Sequence, residues 1–157
     1  MKRVLVAAIP ACTLAVLVSA VAAWGRQPDR PQSRGASSVT VIEHAANDTT
    51  TDTGAPGDSA GDLLTFANDI YDASDARKVG TDQGYCIRIV PGASYECTWT
   101  TFLAGGQLVV AGPFFDTRDS TLAITGGTGR YRNARGSMDL HALENGTKFR
   151  FAFKITR

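Results

Sequence analysis

The residues best placed to do chemistry are a cysteine pair, Cys86 and Cys97, and a glycine cluster, Gly126, Gly127 and Gly129, in "AITGGTGRYRNARG". The cysteines lie in "GYCIRIV" and "YECTWTTFL", on either side of "PGAS", a turn signal. A turn centred between Pro91 and Gly92 sets residue 86 directly opposite residue 97 on neighbouring strands. Facing cysteines whose Cβ atoms approach closely can be bridged. Export would supply an oxidising compartment, and free buried thiols are the alternative. No Cys-x-x-Cys spacing or histidine cluster accompanies them, so no metal site is expected.

The glycines raise the question of phosphate binding. A dinucleotide fingerprint needs Gly-x-Gly-x-x-Gly between a strand and a helix. Gly127 and Gly129 supply the first two glycines, but Arg132 stands at the third position. The following "GSMDLHAL" alternates as a strand does, and no Gly-Lys-Ser/Thr of a P-loop is present. The cluster therefore shapes a long turn between strands. Arg130, Arg132 and Arg135 are then exposed, either solvated or as a basic rim for an acidic substrate.

The elements that must position these residues read as β throughout. Strands are expected at 39–45, 61–73, 84–90, 95–103, 106–114, 120–125, 136–144 and 147–156, and no segment sustains a helical period. Asn145-Gly146 is a strong hairpin signal, because both positions tolerate positive φ. A turn there pairs Ala142 with Phe149, Leu140 with Phe151 and Met138 with Phe153, all on one apolar face. His141 falls opposite Arg150 on the polar face and reads as solvated. Eight short strands with tight turns imply a sandwich or a closed barrel. Eight strands also make the smallest barrel that holds one small ligand.

The chain has 157 residues, enough for one modest domain. Lys2 and Arg3 precede an apolar run from Val4 to Ala23, and Ala20-Val21-Ala22 fits a small-x-small cleavage pattern. Residues 1–23 read as a secretory signal peptide, with an uncleaved membrane anchor as the alternative. Cys12 lies within this run and is no ligand. Residues 24–38, rich in Pro, Gly, Ser and Arg, read as a flexible linker. The folded domain is then 39–157, and the expected location is secreted or cell-envelope. Formal net charge is +1. A near-neutral domain is a poor match for nucleic acid or anionic membrane.

Several separated segments carry a family resemblance. "GDLLTFANDIYD", "GYC", "YECTW", "VAGPFFDTRDSTLAITGGTGRYRNARG" and "KFRFAFKI" resemble allene oxide cyclase, in that order and at similar spacing, over about 61–157. Part of the pattern is shared with dirigent proteins. The resemblance implies an all-β fold, an eight-stranded antiparallel barrel with an apolar cavity, often a trimer. It also implies cofactor-free ring closure of a hydrophobic substrate, in which the barrel mainly holds the chain in a reactive fold.

By position, Glu43 in "VTVIEHA" resembles the family's cavity glutamate, and Asn68 in "LLTFAND" a water-holding asparagine. Leu64, Phe66, Cys86, Tyr95 and Phe114 match substrate-lining positions. Ala45 replaces the family's other water-binding Asn, and its Ser-Pro pair has no counterpart in "NDTTTDTGAPGDS". The polar loop 46–60 reads as a lid over the barrel mouth or a mobile connection. Three functions fit: a cofactor-free cyclase or isomerase, a dirigent- or lipocalin-like binder of a hydrophobic small molecule, and a structural domain with a filled barrel.

Overall fold

The computed structural model describes residues 35–156. The signal peptide expected at 1–23 and residues 24–34 of the expected linker lie outside the described residues. Nine strands run β1 (Ser37–His44), β2 (Asp48–Thr51), β3 (Leu63–Asp72), β4 (Lys78–Val90), β5 (Ser94–Leu103), β6 (Gly106–Phe115), β7 (Ser120–Gly127), β8 (Arg135–Leu143) and β9 (Lys148–Thr156). All neighbours pair antiparallel, in the order β1-β9-β8-β7-β6-β5-β4-β3-β2. β1 also pairs with β3, Val41 to His44 against Asp72 to Asp69, which closes eight strands into a barrel. The ninth, β2, is an extra strand laid along Leu63–Phe66 of β3. Closure removes the open edges that an eight-stranded sheet would leave.

Alternation along each strand decides what lies inside. Val41, Cys97, Trp99, Leu108, Val110, Leu122, Ile124, Met138, Phe151, Phe153 and Ile155 form one buried core. The paired residues Met138–Phe153, Leu140–Phe151 and Ala142–Phe149 fall as the hydrophobic pattern of the last hairpin requires. The connection there is longer than a two-residue turn. Glu144–Gly146 form a short 3-10 turn with positive φ at all three residues. It is centred on the same point, so the register is unchanged.

The barrel's two ends differ. At one end, the glycine cluster leads into a 3-10 turn, Gly129–Tyr131, whose Tyr131 side chain is buried in the core. Gly129 has φ of 56°, and a Cβ there would clash with the Gly105 carbonyl of the neighbouring hairpin. The glycine motif is thus a packed end-closure, with Arg130, Arg132 and Arg135 exposed. At the other end, the β4–β5 hairpin, the β6–β7 loop and the β8–β9 hairpin surround a mouth. Cys86 lies opposite Cys97 in register, and the two are joined by a disulfide.

Candidate active site

Three buried polar side chains from three strands meet inside the open half of the barrel. Glu43, near the end of β1, continues the inward series Val39, Val41, and is only 5% exposed. Asn68 on β3 and Asp82 on β4 are each 2% exposed and stand opposite each other in register. The carboxyl groups of Glu43 and Asp82 are close enough to perturb each other's titration. Burial pushes the Glu43 carboxyl up to about 7, reinforced by the charge of Asp48 and opposed by the Asn68 amide. Burial likewise pushes Asp82 up to about 9, and the adjacent Glu43 adds to the rise. Two buried carboxyl groups in such a place cannot both ionise cheaply, so they titrate as a pair.

Asn68 organises the surroundings of this pair. Its Nδ2 donates to Glu43 Oε1 at 3.0 Å and to Asp48 Oδ1 at 2.7 Å. Its Oδ1 accepts from the backbone N–H groups of Ala46 at 3.1 Å and Asn47 at 2.9 Å. A primary amide has two donors and two acceptor lone pairs, so no valence is left over. Asn68 clamps the β1–β2 connection against the glutamate. Behind Asp82, the hydroxyl of Thr101 and the indole N–H of Trp99 are buried without protein partners, as are both Asp82 oxygens.

A cavity of about 50 Å³ lies against Glu43. Leu64, Phe66, Cys86 and Phe114 border it, together with Asp48, Trp99, Phe149 and Phe151. Phe66 meets Trp99 edge-on at 5.9 Å, and Phe114 meets Phe149 edge-on at 5.9 Å. Gly84 lets β4 lie close against β5, since a Cβ at 84 would collide with the Cβ of Trp99 and the Thr98 carbonyl. Outside the cavity is a vestibule of about 430 Å³ between the β6–β7 loop and the β8–β9 hairpin. Phe114, Leu140 and Phe149 border both spaces.

Tyr95 stands apart from the cavity. Its hydroxyl accepts from Arg88 Nη2 at 2.8 Å, and its ring lies 6.3 Å from Phe114. Arg88 is itself 7% exposed and also binds Asp116 and, through Nε at 2.7 Å, Asp58. Asp116 thus holds a buried cation at the mouth. The polar loop at 46–60 carries its own hydrogen bonds. β2 begins it, and the Asp62 carboxylate closes it by accepting from Thr53 N at 3.0 Å and Ser59 N at 2.7 Å. Those donors hold the Asp62 carboxyl below its ordinary range.

Asp82, Asp48 and Trp99 escape the sequence reading. β4 begins at Lys78, six residues before the strand expected at 84, so Asp82 fell in a presumed loop. The signal was present: Asp82, Gly84, Cys86 and Arg88 alternate on the inward register. Among the described residues no group of three or more His, Cys, Asp or Glu is arranged to hold a metal ion.

Similar barrels are known. Pyocyanin demethylase matches with a TM-score of 0.68 and 27% identity, over 76% of this chain and all of that one. A pterocarpan synthase dirigent protein matches with a TM-score of 0.66 and 15% identity, over 80% of this chain and 97% of that one. An exo-specific intermolecular Diels-Alderase matches with a TM-score of 0.62 and 15% identity, over 77% and 98%. The last two likenesses establish a shared fold. The family model for allene oxide cyclase matches residues 34–156, the whole barrel, and the chain belongs to that family.

Proposed function

We propose that this barrel binds a hydrophobic small molecule and templates its cyclisation or isomerisation without a cofactor, with the Glu43–Asp82 pair as its acid–base group. The observation that carries this reading is a buried carboxyl, Glu43, on the wall of an apolar cavity, with a second buried carboxyl, Asp82, behind it. A structural carboxylate would be better placed in solvent, since burial disfavours its charge. Perturbed titration in a cleft is a mark of function. The aromatic walls fold the substrate so that its reacting atoms meet. The pair moves a proton or offsets developing charge at that point. A demethylase, a dirigent protein and a Diels-Alderase on similar barrels support an organic small molecule as the substrate.

The second reading is an orienting binder that uses only the apolar walls. The mostly apolar and aromatic wall supports it, because such a wall can hold a ligand without acid–base help. Glu43→Gln separates the two. Ligand extracted from the purified barrel, or a candidate substrate, is assayed for turnover and product stereochemistry. Under the first reading Glu43→Gln lowers turnover roughly 10²-fold or more with binding largely kept. Full turnover with unchanged stereocontrol establishes the binder. Phe66→Ala weakens binding and loosens stereocontrol in either case.

We also propose that the protein acts outside the cytoplasm, a reading with which the disulfide agrees. We further propose a homotrimer. Tyr85, Ile87, Ile89 and Val90 expose an apolar stripe on β4, the kind of surface that marks an interface. Light scattering on the purified domain tests this; a monomer at micromolar concentration excludes it.

A further inference from the structure

The charges of the barrel are sorted between its two ends. Between Asp119 and Asp139 the charged residues are Arg130, Arg132 and Arg135 alone, all exposed on the β7–β8 connection that closes one end. None of them forms an ion pair with a described residue. The β5–β6 turn beside them adds no acid, since Cys97 to Phe115 carries no charge. Arg130 N donates to the Gly105 carbonyl of that turn at 2.8 Å. The connections at the mouth have the opposite sign: Asp52, Asp58, Asp62, Asp116, Asp119 and Glu144 against Arg118. The net charge of +1, taken over the whole chain, conceals this separation. Like charges gathered on one face repel one another, and an anionic partner removes that repulsion. The backbone of the turn offers such a partner little. The N–H groups of Thr128, Arg130, Tyr131, Arg132 and Ala134 all donate within the barrel, at 2.8 to 3.2 Å. Arg135 uses one N–H on the Ala134 carbonyl at 2.7 Å and keeps the others. Recognition at this end therefore falls to the guanidinium forks, whose geometry matches phosphate oxygens.

The polypeptide enters the barrel at this same end. Ser37, at the start of β1, pairs with Ile155 on one side of β9, and Gly136 pairs with Ile155 on the other. Two strand spacings, about 10 Å, therefore separate the point of entry from the start of β8 and its Arg135. The sequence leading in carries Arg26, Arg30 and Arg34 against Asp29 and, before them, the apolar run from Val4 to Ala23. We propose that the closed end docks on an anionic phospholipid surface, with Arg130, Arg132 and Arg135 on the headgroup phosphates and the mouth turned away from the bilayer. Two observations favour a bilayer over a soluble polyanion. In the chain, basic residues stand between an apolar run and this face, the order in which a polybasic segment flanks a membrane. The three arginines also share one short connection, a compact patch and not the extended basic stripe that a nucleic acid needs. The acidic mouth is repelled by the same surface, so charge alone selects one orientation.

The test uses the barrel alone, residues 33–157, so that the apolar run does not itself enter the lipid. This unit is compact by itself, and β1 closes its sheet from within. Sedimentation with vesicles of phosphatidylcholine, with and without an equal share of phosphatidylglycerol, measures partition. Wild type is expected to bind the anionic vesicles, to ignore the neutral ones, and to lose binding as salt rises. Arg130→Gln, Arg132→Gln and Arg135→Gln should each weaken partition about fivefold, and the triple variant on the order of a hundredfold. The triple lysine variant keeps the charge and should keep most of the binding. Arg118→Gln, at the mouth, should leave it unchanged. A solvent-sensitive dye on Ala104→Cys, in the exposed β5–β6 turn, should be shielded by the vesicles, and one on Thr117→Cys, exposed at the mouth, should not. The proposal fails if wild type does not bind anionic vesicles, or binds neutral ones equally. It fails if the triple glutamine variant, with its thermal midpoint kept, binds as wild type does, or if both dyes are shielded alike. Tight binding to heparin without binding to vesicles would assign the face to a soluble polyanion and overturn it as well. None of these readouts depends on turnover, so a catalytically silent Glu43 leaves them standing.

Discussion

Glu43 and Asp82 face each other from β1 and β4, strands that are not neighbours in the sheet, with β3 between them. Only the closed curve of the barrel brings the two carboxyl groups together. Their raised titration makes folding stability depend on pH. Glu43 rises from 4.5 to about 7 and Asp82 from 3.8 to about 9 in the folded protein. The folded state therefore holds more protons than the unfolded chain between those limits, and stability must fall as pH rises. The thermal midpoint should be highest near pH 5 and decline toward pH 9. Asp82→Asn, which keeps the volume and removes the acid, should flatten that decline. A wild-type midpoint that rises between pH 5 and 9 would contradict the buried pair.

Asn68→Ala should be among the most destabilising polar substitutions in the domain. It strips donors from Glu43 and Asp48 and leaves the Ala46 and Asn47 amides unmatched. With hydrogen bonds worth about 1 kcal/mol each and a cavity left behind, a loss of about 2–4 kcal/mol is expected in urea unfolding. Asn68→Asp should be worse, because it adds a carboxyl to a cluster already short of positive charge.

How far the sequence discloses this site follows from what alternation can report. Period-two patterning places Phe149, Phe151 and Phe153 on one face without knowledge of the fold, because the neighbouring strand carries the matching pattern. The cysteine pairing is legible for the same reason. Asp82 is not, because an acidic residue between Thr81 and Gln83 ahead of a glycine looks like a loop. Its burial depends on Glu43, 39 positions earlier in the chain. Asn68 is visible as a candidate, but its function as a clamp depends on β2. That strand is short, all polar and exposed, and carries no hydrophobic signal.

Gly129→Ala tests the end-closure. The residue sits at φ 56°, and the added Cβ would strike the Gly105 carbonyl. A left-handed conformation and a backbone clash together should cost about 1–3 kcal/mol. Gly126→Ala is the control, since a Cβ there meets nothing within 4 Å. Equal midpoints for the two variants would show that the turn can relax.

Cys86 and Cys97 are cross-strand partners in one hairpin, separated by 11 positions. A loop this short restricts the unfolded chain modestly, so the double variant Cys86→Ser/Cys97→Ser should lose about 2 kcal/mol, the low end of the usual range. Both residues also border the cavity. Intact mass under non-reducing alkylation should show no free thiol at either position in oxidised protein. Two alkylated thiols would refute the bridge.

The pH dependence of turnover should carry the signature of the pair. The competent form has Glu43 ionised and Asp82 protonated, one to accept a proton and one to hold it in place. That form exists between the two titrations, so kcat/KM should rise as pH passes about 7 and fall as it passes about 9. The apparent values belong to the pair and not to either residue alone. Asp82→Asn supplies a neutral side chain that can still donate to Glu43 but can no longer lose a proton. It should abolish the alkaline limb and keep the acid limb. Glu43→Gln should remove the acid limb along with most of the rate. A profile in which Asp82→Asn leaves the alkaline limb in place would assign that titration to another group. Asp82 would then be a structural neighbour of Glu43 and not its proton partner.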